Sequence, residues 1–384
     1  MPAEPVLRIG FDATAAVSQG AGIGRYTREL LRALAEADSA NCYRLFYASR
    51  TVPYPLPPLA ANFRVTHLPF HDIWLARVWQ RAQAPLPAEW ITGRIDLFHS
   101  PDFTLPPVRR GTRTLLTVHD LSFVRDPASA APGLRGYLEV VVPRSVARAD
   151  HILADSAATR ADLVELYQTP PEKVSVLYCG VHPAFQPVRD PPALAEVRAR
   201  YGLGSAPFIL AVSTLQPRKN YARLIQALAR LPDREVRLVI AGGKGWLFEA
   251  IFAEVERLGL GGRVVFPGFV ADGDLPALYS AARLLAYPSL YEGFGLPMLE
   301  AMACGTPVVA STASCLPEVA GGAALLASPT DVDELAAALD RALTDEALRL
   351  DLVARGHSRA GEFTWDRSAR QLLATYHRLM EHAA

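Results

Sequence analysis

Ser289-Leu290-Tyr291-Glu292-Gly293-Phe294-Gly295-Leu296-Pro297-Met298-Leu299-Glu300 is the stretch on which the reading of this chain turns. Just before it, Leu284–Pro288 is a short apolar run, the pattern of a strand buried on both faces of a parallel sheet. At its end, Pro297–Cys304 reads as a helix, with proline near the first position and Gly305 just past the last. A glycine loop between strand and helix can aim its backbone N–H groups, with those opening the helix, at an anion such as phosphate. Glu292 lies in the loop and Glu300 in the first turns of the helix. A carboxylate accepts hydrogen bonds from two neighbouring hydroxyls, so a ribose or a hexose suits each of them. Phosphate, ribose and hexose together describe a nucleotide sugar. The plainer alternative is a strand-to-helix turn of the kind any α/β sheet contains, with Glu300 favouring the helix N-terminus.

Earlier in the same half of the chain, the strand Phe208–Ser213 ends in Thr214-Leu215-Gln216-Pro217-Arg218-Lys219-Asn220, and a helix follows. Two adjacent cations at a strand's carboxyl end suit a diphosphate, each charge-assisted contact contributing about 1.5–3 kcal/mol. Solvated surface cations are the alternative. Val236–Ala241 leads to Gly242-Gly243-Lys244-Gly245-Trp246, which lacks the spacing of a P-loop. Val264–Phe266 leads to Gly268-Phe269-Val270 and a helix from Leu275; further strands are expected at Pro307–Ala310 and Ala323–Leu326. The strings Asp272-Gly273-Asp274 and Asp331-Val332-Asp333 precede helices and read as caps rather than as metal ligands.

The first half repeats the alternation. Val6–Phe11 reads as a strand, then comes Gln19-Gly20-Ala21-Gly22-Ile23-Gly24, then a helix over Arg25–Ala37. That is the opening of a Rossmann-like unit. The next strand, Tyr43–Ala48, ends without the acid that a dinucleotide site requires about 20 residues on, which argues against a dehydrogenase. Strands follow at Arg64–Leu68, Asp96–His99, Thr114–Val118, His151–Ala154 and Val174–Leu177, with helices at Pro132–Ala149 and Ala158–Tyr167. His119 closes its strand, and the carboxyl ends of parallel strands face the ligand crevice. Asp155-Ser156 closes another, Ser156 reading as a helix cap. Ile73–Gln83, with Trp74, Leu75, Val78, Trp79, Arg77 and Arg81, reads as an amphipathic helix packed on the sheet or as a surface for a lipid-linked or glycan acceptor. Pro187, Pro191 and Pro192 read as a linker.

The whole chain, 384 residues and 50% hydrophobic, is long enough for about two domains and too apolar for disorder. Lys+Arg and Asp+Glu both number 39, which argues against nucleic-acid binding by bulk electrostatics. The cations are nearly all arginine, so Lys219 stands out beside Lys173 and Lys244. Cys42, Cys179, Cys304 and Cys315 form no C-x-x-C pair and read as reduced thiols. No secretory signal and no spanning segment is visible, so a cytoplasmic protein is expected, with peripheral membrane contact left open and oligomeric state unread.

Taken together, the E-x7-E string Glu292–Glu300, the Pro217-Arg218-Lys219-Asn220 loop, Ala241–Trp246, Gly268-Phe269, Gly305-Thr306-Pro307-Val308-Val309, Gly22-Ile23-Gly24-Arg25-Tyr26-Thr27 and Val118-His119-Asp120 resemble the retaining glycosyltransferases of family 4 over nearly the whole chain. The similarity is greatest to bacterial enzymes of polysaccharide and O-antigen (lipopolysaccharide) assembly, many of them mannosyltransferases. The resemblance implies an α/β GT-B fold: a Rossmann-like acceptor-side domain at 1–188, a nucleotide-sugar domain at 189–362, and a helix at 363–384 crossing back to the first domain, both domains facing one cleft. It implies that Arg218 and Lys219 bind the donor diphosphate and stabilise the leaving group. Gly22, with Gly24 in the same loop, meets the phosphates or donor sugar, Glu300 the ribose, and Glu292 the sugar hydroxyls. Gly293, Phe294, Gly295 and Leu296 present the glycine loop's amides, Val270 meets the base, and His119 contacts the donor sugar near the reacting carbon. It implies no cofactor and no metal. The expected partners are a nucleotide-sugar donor, GDP-mannose favoured over a UDP-sugar, and a glycan or lipid-linked acceptor.

The chain departs from the family pattern in Gln216 for the usual glutamate, expected to alter the support of Arg218. It also departs in Cys179 for asparagine, in His182 where an acid is common, and in the small pair Ala157-Ala158. A catalytically silent GT-B scaffold and a sugar-nucleotide epimerase are the other readings.

Overall fold

The structure is a computed structural model that describes residues 5–20 and 22–381. Ala21 of the glycine loop and His382, near the expected end of the last helix, lie outside the described residues. The chain forms two compact units, one of residues 1–121, 136–180 and 364–384, the other of residues 122–135 and 181–363.

The first unit holds a parallel sheet of β1 (Arg8–Asp12), β2 (Cys42–Ala48), β3 (Phe63–Leu68), β4 (Leu97–Ser100), β5 (Arg113–Val118), β6 (His151–Ala154) and β7 (Val174–Val176), in the order β3-β2-β1-β4-β5-β6-β7. The order reverses direction between β1 and β4, the Rossmann-type switch point at which a crevice opens at the strands' carboxyl ends. A short helix, Thr14–Ser18, stands between β1 and the glycine loop, and the following helix starts at Ile23. The Arg28 guanidinium donates to the carbonyls of Ala16 (2.6 Å), Gln19 (2.7 Å) and Gly20 (2.7 Å). It thereby satisfies the carbonyls that end the short helix and pins the loop.

The helix Trp365–Glu381 belongs to this unit. Its buried residues Trp365, Ala369, Leu372 and Tyr376 recur at helical spacing and form one face, packed on the helix Ile23–Ala37. The Trp365 and Tyr26 rings meet edge to face at 5.7 Å, and Tyr376 bonds His99 Nδ1 at 2.8 Å. Ser368 Oγ donates to the Tyr178 carbonyl at 2.6 Å and Gln371 Nε2 to that of Val176 at 2.7 Å, closing the β7 end. Each fully buried large side chain here contributes about 1.5–3 kcal/mol.

The second unit repeats the order with β8 (Phe208–Val212), β9 (Arg237–Ala241), β10 (Val264–Gly268), β11 (Leu284–Tyr287), β12 (Val308–Ser311) and β13 (Leu325–Ala327), arranged β10-β9-β8-β11-β12-β13, all parallel. Its switch point is β8/β11. Ile209, Leu238, Ile240, Leu224 and Leu228 form the centre of its core. Residues 122–135 join this unit, where Trp246 Nε1 donates to the Ser129 carbonyl at 2.6 Å.

Several expectations need correction. The division falls at Gly180/Val181 and Phe363/Thr364 rather than at 188 and 362, and the excursion 122–135 was not foreseen. Pro191 and Pro192 open a helix, Pro191–Arg200, instead of a linker; Asp190 caps it by accepting from Ala193 N. Proline at the first helical position gives up an amide that would have no partner in any case. Ile73–Gln83 is not one packed helix. It is a short α-turn, Ile73–Leu75, passing into a π-helical turn, Ala76–Arg81, and of its aromatics Trp79 is buried while Trp74 is half exposed under the Arg77 guanidinium. The wider turn rotates the apolar positions off a single stripe. Asp331 caps its helix as expected, accepting from Asp333 N and Glu334 N, but Asp274 instead takes Arg200 (2.7 Å) and the Tyr201 hydroxyl (2.7 Å). No helix among the described residues is long and apolar enough to cross a membrane.

Candidate functional site

The loops that leave β8 and β11, the two strands flanking the second switch point, are tied together. Leu290 N donates to the Arg218 carbonyl at 2.8 Å, and Asn220 Nδ2 donates to the carbonyls of Pro288 (2.9 Å) and Pro329 (2.7 Å). Asn220 sits at φ 61°, a left-handed position that asparagine tolerates better than most residues. The short turn Pro217–Lys219 thus ends abruptly, and its two cations stand over the loop that carries Glu292.

Lys219 Nζ donates to Glu292 Oε1 at 2.6 Å, and Arg218 donates to Glu292 Oε2 at 3.1 Å and to the Tyr291 carbonyl at 2.7 Å. All three side chains are buried or nearly so. Burial alone would raise the Glu292 carboxyl, but Lys219 and then Arg218 outweigh it and hold it at about 2. The cluster carries one net positive charge, and Glu292 is ionised throughout the neutral range. The folded pKa is depressed from 4.5, so the stabilisation is complete above about 4.5 and is lost as pH falls toward 2. Thermal melts between pH 6 and 2 are expected to show a drop that Glu292→Gln removes in part; an identical acid profile in the variant would refute the ionised, paired carboxylate.

The glycine loop is turned by side chains behind it. The Ser314 hydroxyl donates to the Glu292 carbonyl, and the Cys315 thiol lies 3.2 Å from the carbonyls of both Glu292 and Phe294. Across a trans peptide, N–H points opposite to C=O. The amides of Gly293 and Gly295 therefore face away from Cys315, and among the described residues those two and Leu296 N donate to no other backbone group. Gly295 has φ 100°, and a Cβ there would lie 2.9 Å from Leu316, so only glycine makes this turn. Leu296–Ala303 forms the helix. Glu300 is buried within it and accepts from the Tyr279 hydroxyl at 2.9 Å.

Other expected residues fall differently. Val270 is buried, so only its backbone can meet a base, whereas Phe269 beside it is 62% exposed. Gly24 faces the short helix: a Cβ would lie 2.1 Å from the Gln19 carbonyl oxygen. Its missing side chain serves close helix packing. Gly22 has φ 57° with nothing within 4 Å of a Cβ, an open left-handed position. Gln216 does not bond Arg218, and its buried Oε1 has no partner among the described residues. His182 Nδ1 accepts from Ala184 N, closing its own turn, and Ser156 caps the helix Ala157–Tyr167 as expected.

His119 sits at the β5 end of the first unit. Its Nδ1 meets Asp155 Oδ2 at 2.7 Å and its Nε2 meets the Pro101 carbonyl at 2.8 Å. Both ring nitrogens are thus engaged within the first unit, at a residue for which the resemblance implies a contact with the donor sugar near the reacting carbon. Sequence reading missed this, as it missed Tyr279 behind Glu300 and Ser314-Cys315 behind the glycine loop. Asp155 could have been noticed, since it closes the neighbouring strand; nothing in the pattern points to the Pro101 carbonyl.

Comparison with known proteins gives a consistent result. Residues 20–185 match the family described as Glycosyltransferase Family 4, and residues 195–359 match Glycosyl transferases group 1. O-antigen chain mannosyltransferase B of Escherichia coli is 33% identical over 368 residues, 92% of this chain and 95% of that protein. MMP alpha-(1->4)-mannosyltransferase of Mycolicibacterium hassiacum is 36% identical over 260 residues, 65% of this chain and 59% of that protein. Among solved structures, sucrose-phosphate synthase from Thermosynechococcus elongatus superposes with a TM-score of 0.76 at 25% identity, covering 98% of this chain and 100% of that one. Two Rossmann-type units, the cation–acid cluster at a switch point and a relative aligned over nearly the full length agree: the chain belongs to glycosyltransferase family 4, has the GT-B fold, and is similar to bacterial O-antigen mannosyltransferases.

Proposed function

We propose that the protein transfers a hexose, mannose in the favoured reading, from a nucleoside diphosphate sugar to a glycan or lipid-linked acceptor of cell-surface polysaccharide, with retention of anomeric configuration. The observation that carries this reading is the buried Arg218–Lys219–Glu292 cluster at the β8/β11 switch point, beside the amides of Gly293 and Gly295 that face away from Cys315. As the bond from sugar to diphosphate breaks, negative charge grows on the departing phosphate oxygens. Fixed cations and amides already aimed at that position lower the barrier without reorganising. Arg218 and Lys219 supply the positive charge, Glu300 takes the ribose hydroxyls, and Glu292 orients the cations and the sugar.

Glu292 is a poor nucleophile in this setting. A carboxyl held at about 2 is weakly basic, and both its oxygens are already bonded to cations. Front-face attack by the acceptor through an oxocarbenium-like state fits better than a covalent intermediate of the glycosidase kind. GDP-mannose is the favoured donor because the relatives' names are those of mannosyltransferases. The exposed Ile73 and Trp74, with Arg77 stacked on Trp74, support an amphiphilic acceptor met at a membrane surface on the cytoplasmic side.

Thermal shift against GDP, UDP, ADP and their sugars tests the donor, since a ligand at 100 times its Kd adds about 2.7 kcal/mol to native stability. GDP and GDP-mannose are expected to raise Tm, and slow donor hydrolysis is expected without acceptor. Neither binding nor hydrolysis with any nucleotide sugar would favour the silent scaffold. Interconversion of donors with no sugar released would favour an epimerase. An inverted product, read by proton NMR of the anomeric position, would overturn retention.

A further inference from the structure

Both nitrogens of His119 face acceptors. A carbonyl can only accept, so Nε2, 2.8 Å from the Pro101 carbonyl, carries a hydrogen. A carboxylate also accepts, so Nδ1, 2.7 Å from Asp155 Oδ2, carries one as well unless Asp155 is itself protonated. His119 and Asp155 are both more than nine-tenths buried, and the other Asp155 oxygen has no partner among the described residues.

The groups around the ring decide where the shared proton rests. Asp155 faces it from the end of β6 and Asp102 from the loop after β4, with Asp120 next in sequence. Tyr26 of the helix Ile23–Ala37 and Phe103 present aromatic rings at 4.8 and 5.6 Å. Behind it, His99 bonds Tyr376 and Thr117, and burial lowers it to about 3, so it adds no competing charge. The ring thus faces acids, acceptors and aromatic rings. Burial opposes charge on His119, but Asp155, then Asp102 and the Pro101 carbonyl, outweigh it and raise the imidazole to about 9.

We propose that Asp155 and the Pro101 carbonyl clamp His119 as a doubly protonated imidazolium, so that Asp155 is a positioning residue of the transfer reaction that fixes the orientation and protonation of the ring. The proposal rests on the reading that His119 belongs to the transferase site. The imidazolium and the Asp155 carboxylate together carry no net charge, so the pair presents a dipole of fixed orientation at the β5 end. The clamp predicts a reaction that does not switch with the ordinary titration of histidine near 6.5.

The test uses the full chain labelled with ¹⁵N-histidine, the His119 signal being assigned by its loss in His119→Gln. In the wild type both His119 nitrogens are expected to be protonated at pH 7.5, the ring losing a proton only near pH 9. In Asp155→Asn, Nε2–H is expected to persist while Nδ1 is deprotonated at pH 7.5, and Asp155→Glu should restore the charged form. For turnover of the donor, the alkaline limb of kcat is expected to move down by at least one pH unit in Asp155→Asn. Activity should fall about tenfold at pH 7.5 and recover toward wild type near pH 6. A wild-type ring with one protonated nitrogen at pH 7.5, or an Asp155→Asn variant with unchanged spectrum and unchanged limb, overturns the clamp. Because the spectrum needs no turnover, a protein that processes no nucleotide sugar would sink the transferase reading while leaving the clamp to be decided by NMR.

Discussion

Lys219→Met is expected to reduce sugar transfer by about 10²–10³-fold, the range found when a preorganised group that meets developing charge is removed. The same change leaves Glu292 buried with Arg218 alone on its second oxygen at 3.1 Å. Breaking a buried pair by deleting one partner costs about 3–5 kcal/mol, and the remaining guanidinium puts this case at the lower end. Activity and stability should therefore both fall, and the double variant Lys219→Met/Glu292→Gln separates them. Removing both charges relieves the stranded carboxylate, so Tm should recover in part while transfer stays low. Recovery of transfer in the double variant would mean that Lys219 matters only as a partner for Glu292, and the diphosphate role would be lost. Melting temperature and initial rate with a saturating donor are the two readouts.

Gly180→Ala is expected to be among the most disruptive single methyl groups in the first unit. A Cβ at Gly180 would lie 2.2 Å from Trp365 N, 2.5 Å from the Thr364 carbonyl carbon and 2.8 Å from Trp365 Cα. All three are backbone atoms, so no rotamer change makes room. The start of the helix Trp365–Glu381 must move, and with it the seat of Trp365 and Tyr376. Overpacking of a well-filled core costs about 1–3 kcal/mol, and a clash with backbone alone belongs at or beyond the top of that range. Gly136→Ala is the control. A Cβ there meets nothing within 4 Å, and alanine in a helix is favoured over glycine by about 1 kcal/mol, so this variant should melt no lower than the parent. Equal Tm values for the two variants would show that Trp365 is not seated as described.

What could be read from the sequence was whatever is encoded over a short span. The strand before Ser289, the glycine loop and the helix after it form one continuous stretch, so Glu292 and Glu300 were found together. Pro217-Arg218-Lys219 was found because a strand pointed to it. That Lys219 and Arg218 would each take one oxygen of Glu292, more than 70 positions away, was not legible; it follows from β8 and β11 being neighbours across a switch point. His119 was singled out by its place at the end of β5, but its two acceptors come from the ends of β4 and β6, and the carbonyl of Pro101 has no side-chain signature. Proline misled at Pro191 because the same residue ends one element and opens another. That the Val270 side chain turns inward while Phe269 stays exposed has no signature in the local pattern. Residues 122–135 were assigned by continuity, whereas the Trp246 indole bonded to the Ser129 carbonyl shows the opposite allegiance.

The helix Trp365–Glu381 completes a sheet whose last strand ends at Val176. On a ribosome moving at about 5–20 residues per second, roughly 10–40 s separate the emergence of Gly180 from that of Thr364. For that interval the apolar flank of Ile23–Ala37 and the Tyr26 ring lack the cover of Trp365 and its helix, and the segment 181–363 of the later unit is complete only at its close. Nascent chains should therefore gain protease resistance in reverse of their order of translation, the later lobe first. A message truncated just upstream of Thr364 should yield a product that holdase chaperones retain.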